Sequence, residues 1–168
     1  MTGYMSNRGA GMNIIGIDPA PPEGKVGIVW WDNCRIVGQT VSGSPDVFLE
    51  ELEQTIELGD DELRIVVEGI QSYGRVIGAS VIETAYLVGD IRMMARYTKT
   101  PFHIVTKPTH AAATTGMANP TAKELATSLD NRFGRDVLRK AGVKNPHTRN
   151  ALSCAVWLAK GEGLLTDA

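Results

Sequence analysis

Four residues of this chain have the types and spacing to do chemistry together. Two are acids at the ends of apolar stretches: "NIIGID" closes on Asp18, and "LRIVVEG" carries Glu68 one residue from its end. The other two open the stretch "PHTRNALSCAVW", where His147 and Asn150 are three residues apart and so share one face of a helix. If the two strands are parallel neighbours, their terminal carboxylates converge at one edge of a sheet. Converging carboxylates repel, and each tends to hold a proton unless a cation joins them. Mg²⁺ suits such a site because it is hard, prefers oxygen and keeps water positions open for phosphate. Two such ions about 4 Å apart would activate water and stabilise the leaving oxygen of a phosphodiester. Read singly, Asp18 is a turn residue before Pro19 and Glu68 an exposed strand end. The order of the elements is what joins them.

The elements that must position these residues follow from periodicity. Strands are predicted over Asn13–Asp18, Val26–Asp32 and Arg35–Val41, with Asp32-Asn33 suited to a hairpin turn. Ser44-Pro45-Asp46 supplies a cap, a first-turn proline and an early acid, so a helix runs from there to about Leu58. Its apolar face is Phe48, Leu49, Leu52 and Ile56. A fourth strand, Leu63–Gly69, precedes a long helix over roughly Val76–Tyr97. That helix is apolar nearly all round, as expected of a central helix or a subunit contact. A short strand follows at Pro101–Thr106. A polar loop then leads to a helix that starts at Asn119-Pro120 and ends near Phe133-Gly134. The last helix covers about His147–Lys160. The order β-β-β-α-β-α-β-α-α implies a mixed five-stranded sheet, with three antiparallel strands and then parallel ones, covered by helices on both faces. This layout resembles the RNase H-like fold.

Composition sets the outer limits. A chain of 168 residues with 43% hydrophobic and 21% charged residues is the size and make-up of one globular domain. Residues 1–12 read as a flexible tail and 13–168 as a single domain. No apolar run is long enough to span a membrane, and the first residues lack a signal-peptide core. Cys34 and Cys154 are far apart without metal-site spacing, as expected of reduced thiols in the cytoplasm. The net charge of −2 hides an asymmetry. Residues 1–90 carry 5 Lys/Arg against 14 Asp/Glu, and residues 91–168 carry 12 against 5. A basic face of that kind can bind phosphates through counterion release. Solvated helix faces alone would give the same count.

The segments "IIGIDPA", "IVVEGIQSYG" and "HTRNALSCAVWLA" resemble the three acidic motifs of RuvC-type Holliday junction resolvases. The likeness is greatest to the phage and prophage branch, through "VEGIQSYGRVIGASVIETAYLVGDI" and "KELATSLDNRFG". It covers most of residues 13–160. The resemblance implies Asp18 and Glu68 as metal ligands, His147 as a ligand or proton-transfer partner, and Mg²⁺ as the cofactor, with Mn²⁺ as substitute. It implies a homodimer acting on four-way DNA junctions, in the cytoplasm of a bacterium or of a phage's host. One departure stands out: Asn150 falls where the family has an Asp. An amide oxygen can coordinate Mg²⁺ but lacks the charge, at a cost of roughly 3 kcal/mol of transition-state stabilisation, or about 100-fold in rate. An inactivating or engineered Asp→Asn change, natural variation within the branch, and a junction binder that cuts poorly all account for it.

The same resemblance sets a loop at Gln71, Tyr73 and Arg75 into the junction centre, with Tyr73 stacking on a base and Arg75 on a phosphate. Lys107, in a second loop with His110, and Lys123 stand where the family has lysines near the scissile phosphate. Arg132, Arg135 and Arg149 belong to the densest basic run and are expected to contact the DNA backbone. Glu83 and Asp90, on one face of the long helix, are expected to be structural, and His103 is expected to be a strand residue. A non-catalytic junction-binding protein and an RNase H-fold nuclease acting on RNA are the competing readings. A sugar or acetate kinase is disfavoured, because the chain is too short for two such domains.

Overall fold

The computed structural model describes residues 12–20, 24–32, 35–42, 44–57, 62–70 and 78–165. Alternating apolar residues build five strands: β1 (Asn13–Asp18), β2 (Lys25–Asp32), β3 (Arg35–Ser42), β4 (Leu63–Gly69) and β5 (Phe102–Thr106). They form one sheet in the order β3-β2-β1-β4-β5. The β1·β2 and β2·β3 pairs are antiparallel, and the β1·β4 and β4·β5 pairs are parallel. The mixed five-stranded sheet and its helices on both faces are those expected of the RNase H-like fold.

Strand parity divides the core in two. Ile15, Ile17, Val26, Ile28, Ile65 and Val67 face α1 (Pro45–Glu57) and α2 (Ala79–Tyr97). Ile14, Val29, Trp31 and Val66 face α6 (Pro146–Gly161), whose Ala151, Leu152, Ala155 and Val156 are buried against them. Helices α3 (Lys107–Thr115), α4 (Ala122–Phe133) and α5 (Arg135–Lys140) complete the α6 side. Glycine sets how closely α6 lies on the sheet. A side chain on Gly16 would run into the Ala151 carbonyl, and one on Gly27 into the backbone of His147. Removing both side chains lowers the helix onto β1 and β2 and brings its first turn to the strand ends.

Three differences from the sequence expectations have physical causes. The segment expected as a polar loop after β5 is the helix α3, because Pro108 sits in its first turn and Gly116 ends it in the left-handed conformation (φ 74°). Gly134 starts a separate short helix, α5, within the basic run. Helix α2 is two-sided and not buried all round: Leu87, Val88, Ile91 and Ala95 pack on the sheet, while Ile82, Tyr86, Met93 and Tyr97 are exposed. Residues 1–11, the turn residue Asn33, Cys34, the helix start at Val76 and the loop residues Gln71, Tyr73 and Arg75 lie outside the described residues. Among the described residues no helix is long and apolar enough to cross a membrane.

Candidate functional site

The site begins with register. Ile17 of β1 pairs with Val67 of β4, so the next residues, Asp18 and Glu68, stand side by side where the parallel strands end. Both follow the parity of Gly16 and Val66, which puts their side chains on the α6 face. Across β2, Asp18 pairs with Gly27, the residue whose missing side chain admits His147. Helix α6 starts there because Asn145 caps it: its Oδ1 accepts from the Thr148 N–H at 3.0 Å, and the reciprocal Thr148 contact completes a capping box. Pro146 occupies the first turn, where its missing N–H costs nothing.

From this turn two groups reach one oxygen of Asp18. His147 Nδ1 lies 3.1 Å from Asp18 Oδ2, and Asn150 Nδ2 donates to the same oxygen at 3.2 Å. Asp18 is buried, whereas the His147 side chain is 42% exposed. Burial first and the neighbouring Glu68 second raise the Asp18 carboxyl pKa from its ordinary 3.8 to about 6, against the lowering contacts of Asn150 and His147. Two adjoining acids therefore share a site that lacks the positive charge to ionise both comfortably.

Glu68 has a different neighbourhood. Its Oε2 lies 3.0 Å from Nε2 of His110, a fully buried residue of α3. His110 Nδ1 is 2.8 Å from Ser153 Oγ, and Ser153 Oγ is 2.8 Å from Thr114 Oγ1. Thr114 Oγ1 also donates to the His110 carbonyl at 2.9 Å. The Cys154 thiol lies within 4.8 Å of the Glu68 and His110 donor atoms, and burial pushes its pKa well above the ordinary thiol value. Sequence reading passed over this set. Only half of the signal was local: Ser153 continues the three-residue spacing of His147 and Asn150, whereas the four-residue spacing of His110 and Thr114 matters only once their segment is helical.

Asp18, Glu68, Pro19, Gly69, Ile70, Thr84 and Lys107 line a cleft of about 240 Å³. Lys107, the first residue of α3, is exposed at it. The donor set fits a divalent cation: two carboxylates, one with its pKa raised by burial and by the other, with an amide and an imidazole beside them and open space in front. His147, Asn150 and Lys107 thus come together with Asp18 and Glu68. Lys123, exposed on α4, does not line the cleft. The basic run is partly tied down by Asp130: Arg149 Nη2 reaches it at 3.3 Å and Arg135 Nε at 3.7 Å. The Arg149 side chain is 24% exposed and that of Arg135 83%. Arg132 is half-buried. Glu83 and Asp90 are exposed on α2, and His103 lies in β5 with its ring 6.4 Å from Trp157 in an edge contact.

The sheet order and the placement of α6 make an RNase H-like fold, which known structures share. Two solved structures carry that comparison. The chain is 15% identical to the Thermus thermophilus RuvC in a structure titled as a complex with Holliday junction substrate, with a TM-score of 0.67, covering 91% of this chain and 96% of that one. A second Thermus thermophilus RuvC structure gives 16% identity and a TM-score of 0.62 over 90% of this chain and 97% of that one. The sequence matches no family model and no curated protein.

Proposed function

We propose that this chain is a metal-dependent, structure-selective endodeoxyribonuclease of the RuvC type, which resolves four-way DNA junctions by paired phosphodiester hydrolysis. The observation that carries the reading is the pair Asp18 and Glu68 at one cleft of a RuvC-like fold, with His147 and Asn150 on one oxygen of Asp18 and Lys107 at the rim. Asp18, Glu68, His147 and the Asn150 amide oxygen would hold Mg²⁺, two ions in all, with Mn²⁺ as substitute. The bound metal supplies a water poised to attack and charge to stabilise the leaving oxygen. Asp18 fixes His147 through Nδ1 and leaves Nε2 on the open side, where it serves one of two roles, metal ligand or proton carrier. Lys107 meets the phosphate as a point charge.

Residues 13–168 would act as one domain, in the cytoplasm, and the motif likeness points to a phage or prophage origin. The exposed Ile82, Tyr86, Met93 and Tyr97 of α2 support a two-fold dimer, which offers two sites to two symmetric strands. Arg135 and Lys123, with Gln71, Tyr73, Arg75, Arg132 and Arg149, complete the DNA-contact proposal. A second reading, junction binding without efficient cutting, is favoured by one contact: Asn150 donates to Asp18, as a carboxylate there would not unless protonated.

The test is cleavage of an end-labelled four-way junction with Mg²⁺, comparing the chain with Asn150→Asp. The expected result is paired symmetric nicks, with the variant faster by about 100-fold. Tight junction binding without nicks from either protein would leave only the binding reading. Single unpaired nicks would remove the dimer.

A further inference from the structure

We propose that His110 is a positioning residue: it holds the Glu68 carboxylate in its metal-binding orientation from inside the core. This rests on the reading of Glu68 as a metal ligand. A glutamate has three side-chain torsions, and ordering it costs free energy that a rigid neighbour can supply beforehand. His110 is such a neighbour. It is fully buried, and both ring nitrogens are engaged, Nε2 by Glu68 at 3.0 Å and Nδ1 by Ser153 at 2.8 Å. The ring therefore cannot turn without breaking two buried hydrogen bonds.

The direction of the bonds is set by what each atom can donate. An ionised Glu68 accepts only, so the proton between it and His110 belongs to Nε2. With its one ring proton on Nε2, a neutral His110 presents a bare Nδ1 that only accepts, so Ser153 donates its hydroxyl proton there. Thr114, 2.8 Å away, has one hydroxyl proton for two acceptors: turned to Ser153 it completes the series Thr114 to Ser153 to His110 to Glu68, and turned to the His110 carbonyl it braces the turn of α3 instead. Either arrangement aims Nε2–H at Oε2 and leaves Oε1 for a metal. The nearby Cys154 thiol does not turn the group into a separate metal cage, because both imidazole nitrogens are already engaged and His110 and Cys154 are both fully buried. Ser153 and Thr114 sit on α6 and α3, so one small network ties both helices to the end of β4.

The experiment is Mn²⁺ binding by titration calorimetry on the full chain, for the wild type, His110→Ala, His110→Gln and an Asp18→Asn control. Urea melts accompany it, and junction cleavage is measured separately. His110→Ala is expected to weaken Mn²⁺ binding by about 10–100-fold. His110→Gln, whose amide N–H can reach the position of Nε2–H, is expected to recover most of that loss even though both variants melt earlier. Equal weakening by both variants, or unchanged Mn²⁺ affinity in folded His110→Ala, overturns the proposal. So does a wild-type chain that binds no Mn²⁺ sensitive to Asp18→Asn. Wild-type Mn²⁺ binding without junction cleavage would sink the nuclease reading alone and leave the role of His110 to be decided by the affinities.

Discussion

The two carboxylates of the site stand side by side on parallel strands, yet they are served in opposite ways. Asp18 takes its partners from the first turn of α6, where His147 is 42% exposed and can turn toward the cleft. Glu68 takes its partner from the interior, where His110 is fully buried and backed by Ser153 and Thr114. A group that must exchange partners during a reaction belongs at a helix end, where backbone and side chains yield at low cost. A group that must stay fixed belongs against a packed core. The contrast assigns adjustment to the Asp18 side and anchoring to the Glu68 side.

The largest expected effects come from removing either acid. Asp18→Asn and Glu68→Gln should each slow junction cleavage on the order of 10³-fold, since under the proposed function either change removes a ligand charge from the metal site. Single-turnover cleavage with Mg²⁺ measures both. A variant that retained more than about a tenth of wild-type rate would show that its acid is not a ligand.

Stability without metal should separate the two acids. Asp18 has a folded-state pKa of about 6, above its ordinary 3.8. Between those values the folded chain binds more protons than the unfolded one, so stability falls as pH rises from 3.8 to 6 and stays lowered above. Asp18→Asn removes the penalty. In EDTA it should stabilise the chain at pH 7 by as much as about 3 kcal/mol, with most of the gain gone at pH 4. Urea unfolding at the two pH values checks it. The same gain at both would mean that ionisation of Asp18 is not the source of the strain. Glu68→Gln should give a smaller gain, because it removes the Glu68 charge that helps raise Asp18 but leaves the burial of Asp18, the larger cause, in place.

How much of this was legible in the sequence follows the same division. Asp18 and Glu68 could be found because each ends a strand whose apolar run is continuous, and the strand order brings such ends together. His147 and Asn150 could be found because Asn145-Pro146 announces a helix start. His110 could not, because "TKPTHAAATTG" has the small and polar composition of a loop. It is helical through its proline at the first turn and its left-handed Gly116, and through packing on α6, which is a tertiary cause. The exposed half of α2 was hidden for the opposite reason. Ile82, Tyr86 and Met93 satisfy an apolar pattern whether the helix is central or one-sided, and only the sheet's position decides between them. The pairing of Arg149 with Asp130 spans two helices, so no local spacing foretold it.

The smallest effect gives the sharpest view of the contrast. Asn145 caps α6 through Thr148, and its Nδ2 donates to Thr40 Oγ1 of β3 at 2.7 Å. Asn145→Ala should cost about 1 kcal/mol, the usual worth of such a cap, and loosen the first turn of the helix. His147 and Asn150 lie in that turn and just beyond it, whereas Ser153 is more than two turns in, among fully buried residues. The disturbance should therefore reach Asp18 and stop short of Glu68. Losing the steady contacts of Asn150 and His147, which lower the Asp18 pKa, should move it above about 6. Carboxyl-carbon NMR titration reads that shift, and the ring resonances of His110 should hold still. Movement of His110 together with Asp18 would mean that α6 carries the disturbance along its length, and that the two halves of the site are one mechanical unit.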